Sequence, residues 1–287
     1  MTEILMAVAI VSVIGLIGGI ALAVASKIMA VETDEKAEAI NEILPGANCG
    51  SCGFSGCAGY AAALSEGKTT DTALCNPGGN EVSKKIAELL GLEAGNVIPC
   101  AAVVMCQGNC ANAKQKMNYD GVESCRMATQ LFGGEKECVY GCLGLGDCER
   151  ACPYGAIHIC DGVARINPAV CRGCKVCVAA CPKHIIEMVP LEKVTAAVLC
   201  KSTAKGVVTK KACSAGCIGC QKCKKVCPNE AITVENNLAH VDYDKCVACG
   251  ECETACPTGA VEIITVQAGI IKLEPINKNK EKEGANR

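Results

Sequence analysis

Cys217, Cys220, Cys223 and Cys227 are followed by Pro228, and Cys246, Cys249, Cys252 and Cys256 by Pro257. Both runs read C-x2-C-x2-C-x3-C-P, as do Cys171, Cys174, Cys177, Cys181 and Pro182. Three close thiolates suit three corners of an iron–sulfur cubane, and the fourth cysteine ligates the partner cluster. Proline after that cysteine has a fixed φ and no N–H, which favours the turn carrying the chain away. Two reciprocal sets follow: Cys217, Cys220, Cys223 with Cys256, and Cys246, Cys249, Cys252 with Cys227. A third set joins Cys171, Cys174, Cys177 and Cys152. Zinc sites seldom use a triple-plus-one run with a trailing proline.

The run CVYGCLGLGDCERACP departs from this pattern, because Leu145 stands where the repeat elsewhere has Cys220. The simplest substitute is Cys138, giving Cys138, Cys142, Cys148 and Cys181; the alternative is a three-ligand [3Fe–4S] centre. Cys49, Cys52, Cys57 and Cys75 follow C-x2-C-x4-C-x17-C with glycines at 50, 53, 56 and 59, a second four-thiolate spacing. It suits a [4Fe–4S] cluster, with structural zinc as the alternative. Cys100, Cys106, Cys110 and Cys125 form a looser candidate set, and an exchange of fourth ligand between Cys125 and Cys138 stays open. Six sets of four leave Cys160, Cys200 and Cys213 over from 27 cysteines.

An internal repeat supplies the elements that must position these thiols. Adding 75 to Cys125, Cys138, Cys142, Cys148, Cys152, Cys171, Cys174, Cys177 and Cys181 lands on a cysteine each time. Within each repeat, IHICDGVARIN and ITVENNLAHVD alternate around Asp161-Gly162 and Asn236-Asn237, which predicts two hairpins. Tyr60 to Glu66 suits a short helix. Residues 4–25 carry no charge, and at about 1.5 Å per residue such a helix would span roughly 33 Å, so a retained transmembrane helix is expected. Gly15 and Gly19 give it a small-residue face.

The expected fold is α+β: a transmembrane anchor (1–31), a four-cysteine iron–sulfur domain (32–95) and a cysteine-rich connection (96–127). Two ferredoxin modules (128–192 and 193–270) and a mobile tail (271–287) complete it. With no Trp, two Phe and five Tyr, aromatic side chains cannot build a large core, and clusters must staple the modules instead. The odd cysteine count and tight spacing argue against a secreted disulfide scaffold. A net charge of −2 without basic arms gives no sign of nucleic-acid binding. No flavin or nicotinamide fingerprint and no acid–base pair is evident, so no catalytic residue is assigned. Lys222, Lys224 and Lys225 form a basic group beside the second ferredoxin module.

The order ANCGSCGFSGC, CAAVVMCQGNC, YGCLGLGDCERACPYGAI and then a second ferredoxin resembles the B-type subunit of the Rnf electron transport complex, in its longer form. The resemblance implies a membrane-bound ferredoxin:NAD+ oxidoreductase that couples electron transfer to Na+ or H+ movement. This chain would be its iron–sulfur entry subunit, taking electrons from soluble reduced ferredoxin; the alternative is the iron–sulfur subunit of another membrane oxidoreductase, such as a hydrogenase or heterodisulfide-reductase-like assembly. Flavin- and NAD-binding partners would be separate subunits. The cluster domains would lie on the cytoplasmic side of the inner (plasma) membrane, on a single-pass anchor.

Overall fold

The computed structural model describes residues 4, 6, 12–13, 15–20, 22–24, 34–191 and 194–264. The described residues between 4 and 24 are helical. No helix among the described residues is long and apolar enough to cross a membrane. The expected N-terminal transmembrane helix is corrected accordingly; the rest of that stretch, and the tail from 265 onward, lie outside the described residues.

Three helices build the first unit: α1 (Glu35–Ile43), α2 (Cys57–Ser65) and α3 (Gly79–Leu90). Asp34 caps α1 by accepting from the Lys36 amide at 3.0 Å. Gly91, in the left-handed conformation, closes α3. Ile40, Leu44, Tyr60, Leu64 and Ile86 form the core between them. Tyr60 stacks on Phe54 with ring centroids 5.4 Å apart and donates its hydroxyl to the Asp71 carbonyl at 2.7 Å. One of the few aromatics is therefore spent where this unit has most helix to hold.

Two equivalent modules follow. In the first, β1 (Cys100–Val104) pairs antiparallel with β4 (Ile186–Pro190), and β2 (Ile157–Cys160) with β3 (Val163–Ile166). In the second, β5 (Thr195–Val198) pairs with β8 (Val261–Ile264), and β6 (Ile232–Glu235) with β7 (Leu238–Val241). The hairpins turn at Asp161-Gly162 and Asn236-Asn237, all four at positive φ, as a two-residue hairpin requires. The segment 96–127 supplies β1 and then α4 (Cys125–Gln130), so it is built into the first module. The cores are small aliphatics around cysteines: Ile157, Val163 and Ile185 in one module, Ile232, Leu238 and Ala260 in the other.

Candidate metal centres

Four one-turn helices aim the cysteines. They are α5 (Asp147–Ala151) and α6 (Val176–Ala180) in the first module, and α8 (Lys222–Val226) and α9 (Glu251–Ala255) in the second; α7 (Gly206–Ala212) lies between the two pairs along the chain. Each of the four carries the third cysteine of a run, Cys148, Cys177, Cys223 or Cys252, with the fourth at its C-cap. Each is entered through a left-handed residue: Gly146, Lys175, Gln221 and Gly250.

Cys227, Cys246, Cys249 and Cys252 line one cavity, with about 340 Å³ of empty space. Cys49, Cys52, Cys57 and Cys75 line another of about 310 Å³. Burial pushes the Cys177 thiol up to about 12, with Cys171, Cys174 and Cys152 close enough to add to the shift. Burial likewise raises Cys223 to about 11, and its neighbours are Cys217, Cys256 and Cys220. These are the groupings that the reciprocal ligation pattern expects.

At the Leu145 gap, where the sequence leaves Cys125 and Cys138 exchangeable, the structure places the two apart. Cys125 shares a cavity of about 340 Å³ with Cys142, Cys148 and Cys181, whereas Cys138 faces a separate cavity with Cys106, Cys200 and Cys213. Burial lifts the Cys148 thiol to about 12, followed by the effects of Cys142, Cys125 and Cys181. Asp147 holds α4 in place: its Oδ2 accepts from the Ser124 hydroxyl and the Arg126 amide, both at 3.0 Å. Arg150 adds bonds to the carbonyls of Glu123 at 2.7 Å and Leu145 at 2.9 Å. The loosely spaced quartet is thus distributed. Cys106 and Cys125 line different cavities, Cys100 lies on β1, and Cys110 is exposed, its amide bonded to the Asp161 carbonyl at 2.9 Å.

Burial disfavours the thiolate at these positions, a cost that a metal displacing the proton would offset. Among the described residues, no three His, Cys, Asp or Glu side chains converge as they would on a single ion. Four cysteines lining each of these cavities supply the donor set of a cubane. Backbone amides already point at the sulfurs: Ala156 to Cys152 at 3.4 Å, Ala231 to Cys227 at 3.3 Å, Ala102 to Cys171 and Ala196 to Cys246 at 3.4 Å. Such bonds favour the more negative state of a cluster and so tune its potential.

Family models agree with this chemistry. Residues 44–77 match the family described as "Putative Fe-S cluster", and residues 170–232 and 216–260 match two 4Fe-4S dicluster domain families. Across 85% of its length the chain is 43% identical to the B-type subunit of the Na(+)-translocating ferredoxin:NAD(+) oxidoreductase complex of Acetobacterium woodii, covering 73% of that protein. It is 41% identical to the proton-translocating counterpart of Clostridium ljungdahlii, over 84% of this chain and 85% of that one. The B-type subunit of the ion-translocating oxidoreductase complex of Methanosarcina acetivorans is also 41% identical, over 83% and 90%. Relatives named for sodium and for protons are about equally similar.

Proposed function

The chain belongs to the family of B-type subunits of ion-translocating ferredoxin:NAD+ oxidoreductase complexes, and from that we propose how its cysteines and lysines serve the complex. It is an iron–sulfur electron carrier of that membrane-associated complex, and the other subunits are its partners. In our reading, five [4Fe–4S] groups are held by Cys49, Cys52, Cys57 and Cys75; by Cys152, Cys171, Cys174 and Cys177; by Cys125, Cys142, Cys148 and Cys181; by Cys217, Cys220, Cys223 and Cys256; and by Cys227, Cys246, Cys249 and Cys252. Each group supplies one-electron storage at a potential set by its surroundings.

The observation that carries this reading is the order of the sets. Cys49 and Cys174 are near enough for their charges to interact, and Asn76 of the first unit donates to the Gly173 carbonyl at 3.3 Å. Cys177 lies near Cys148 in the first module, as Cys252 lies near Cys223 in the second. The protein's part is to keep these sets adjacent, dry and hydrogen-bonded at sulfur.

Soluble reduced ferredoxin is the donor in this proposal, and the flavin- and NAD-binding subunits take the electrons onward. The cysteine-rich units face the cytoplasm, where thiols stay reduced. Lys222, Lys224 and Lys225 are exposed on α8, around the buried Cys223 and next to the exposed Cys220. An acidic donor docking there would come close to that set. Charge reversal of all three lysines to glutamate should slow ferredoxin oxidation at low ionic strength, with the difference shrinking as salt screens the encounter. An unchanged low-salt rate rejects the docking site.

A further inference from the structure

Strand register aligns the two modules beyond the cysteine spacing. Val104 lies opposite Ile186 and Val198 opposite Val261, and Ile186 and Val261 are 75 positions apart. The Met105 amide bonds the Ile185 carbonyl at 2.7 Å, and the Leu199 amide bonds its counterpart, Ala260, at 2.8 Å. Cys106 therefore holds in the first module the place that Cys200 holds in the second, while Cys138 and Cys213 keep the offset of 75. Thirty-two positions separate Cys106 from Cys138 but only thirteen separate Cys200 from Cys213. The extra chain in the first module is the stretch that delivers Cys125 to the Leu145 gap.

The modules meet as near-symmetric halves. The Gln107 side chain reaches across to Glu262, and Lys201, its counterpart, reaches back to Glu187. Val103, Met105 and Val189 pack against Ala197, Leu199 and Ile264, three residues from each side at equivalent positions. At the end of this contact, Cys106, Cys138, Cys200 and Cys213 line one cavity of about 390 Å³. That is close to the 340 Å³ at the Cys227 and Cys125 sets.

Amide donation to sulfur here matches the ferredoxin sites, and two glycines and a buried lysine add to it. A Cβ on Gly141 would lie 3.5 Å from the sulfurs of both Cys106 and Cys138, and one on Gly108 would lie 3.4 Å from Cys106 and 3.8 Å from Cys213. Amides of Gly108 and Cys142 donate to the Cys106 sulfur at 3.3 and 3.4 Å, and Ser202 donates to Cys200 at 3.4 Å. Lys136 lines the wall, 3% exposed, its ammonium bonded to the carbonyls of Gly108 at 2.8 Å and Gly162 at 2.7 Å. Both acceptors are neutral, so an anionic occupant would complement this buried cation.

We propose that Cys106, Cys138, Cys200 and Cys213 bind a sixth [4Fe–4S] cluster on the pseudo-two-fold axis between the ferredoxin modules. It rests on the multi-cluster carrier reading and supplies what that reading lacks, a link between the halves. The Cys142 amide touches the Cys106 sulfur, and the Cys217 amide, its repeat equivalent, touches Cys200. Cys142 belongs to the first module's set and Cys217 to the second's, so the new site adjoins both. Two pairs of cysteines, one pair from each copy of a duplicated module, complete one site that neither copy could form alone.

The test is an anaerobic iron and sulfide count on the full chain by native mass spectrometry, with EPR of oxidised and reduced samples. Cys138→Ser/Cys213→Ser should lose about four of 24 iron atoms, or one iron with an oxidised [3Fe–4S] signal, while Cys110→Ser/Cys160→Ser keeps the full count. A full count in the first variant, or iron loss in the second, overturns the assignment. Wild type holding 20 iron atoms would also overturn it while leaving the five-set carrier intact. Should the double variant fail to fold, Lys136→Gln supplies the second readout. It should keep all the iron and lower the midpoint potential of one cluster, and an unchanged set of potentials counts against the site.

Discussion

Glu262 offers a test of the contact between modules. Its side chain leaves β8 of the second module and accepts at Oε1 from the Gln107 amide; Oε2 is buried with no hydrogen-bond partner among the described residues. Burial raises its pKa from 4.5 to about 7, Glu253 adds to the rise, and Arg165 and the Gln107 bond oppose it. The folded state thus favours the neutral acid. The penalty is absent below pH 4.5, grows as pH rises through the window between 4.5 and 7, and is complete above it. At 1.36 kcal/mol per unit the shift is worth up to about 3 kcal/mol, and partial solvent access reduces this to about 1–2 kcal/mol. Glu262→Gln keeps the shape and an acceptor for Gln107 but removes the charge. Anaerobic thermal unfolding of the cluster-loaded chain should show the variant about 2–8 °C more stable at pH 8.5, and less than half as much at pH 5.5. An equal gain at both pH values, or a loss at pH 8.5, would refute the buried-carboxylate reasoning.

Other consequences follow from the packing and the ligand sets. Cys125→Ser should convert one cluster to a three-iron form, and adding Leu145→Cys should restore four-iron EPR, because Leu145 occupies the position of Cys220; failure of that rescue would count against Cys125 as the fourth ligand. Leu199→Ala and Met105→Ala each remove a fully buried side chain at the contact between modules. Each should cost about 2–5 kcal/mol, read as a lowered unfolding temperature, whereas Val207→Ala on the exposed face of α7 should change little. Asp147→Ala frees the Ser124 hydroxyl and the Arg126 amide and should make the Cys125-containing cluster the first lost to a chelator; loss order identical to wild type would show that α4 is held by other contacts.

The ferredoxin triplets were legible in the sequence because three ligands sit within a short run and the turn residues beside them fix the path. Cys49 to Cys75 could be read for the same reason, with glycines marking where the backbone wraps. Both hairpins were announced by paired turn residues, Asp161-Gly162 and Asn236-Asn237. The placement of Cys106, Cys138, Cys200 and Cys213 was not legible, since it depends on two modules docking face to face. Counting a constant offset of 75 paired Cys200 with Cys125, whereas the β1–β4 and β5–β8 registers pair it with Cys106. The extra chain before Cys138 hid that relation, and strand pairing reveals it. The expected transmembrane helix rested on hydropathy alone, and no helix among the described residues is long and apolar enough to bear it out.

The most direct measurement is total iron and acid-labile sulfide on the intact, anaerobically purified chain, with zinc measured in the same sample. Six four-iron groups predict about 24 iron and 24 sulfide per chain, with EPR of the reduced protein showing interacting neighbouring clusters. Zinc in place of iron, or iron that neither accepts nor returns electrons, would contradict a chain of cysteine sets built to carry them.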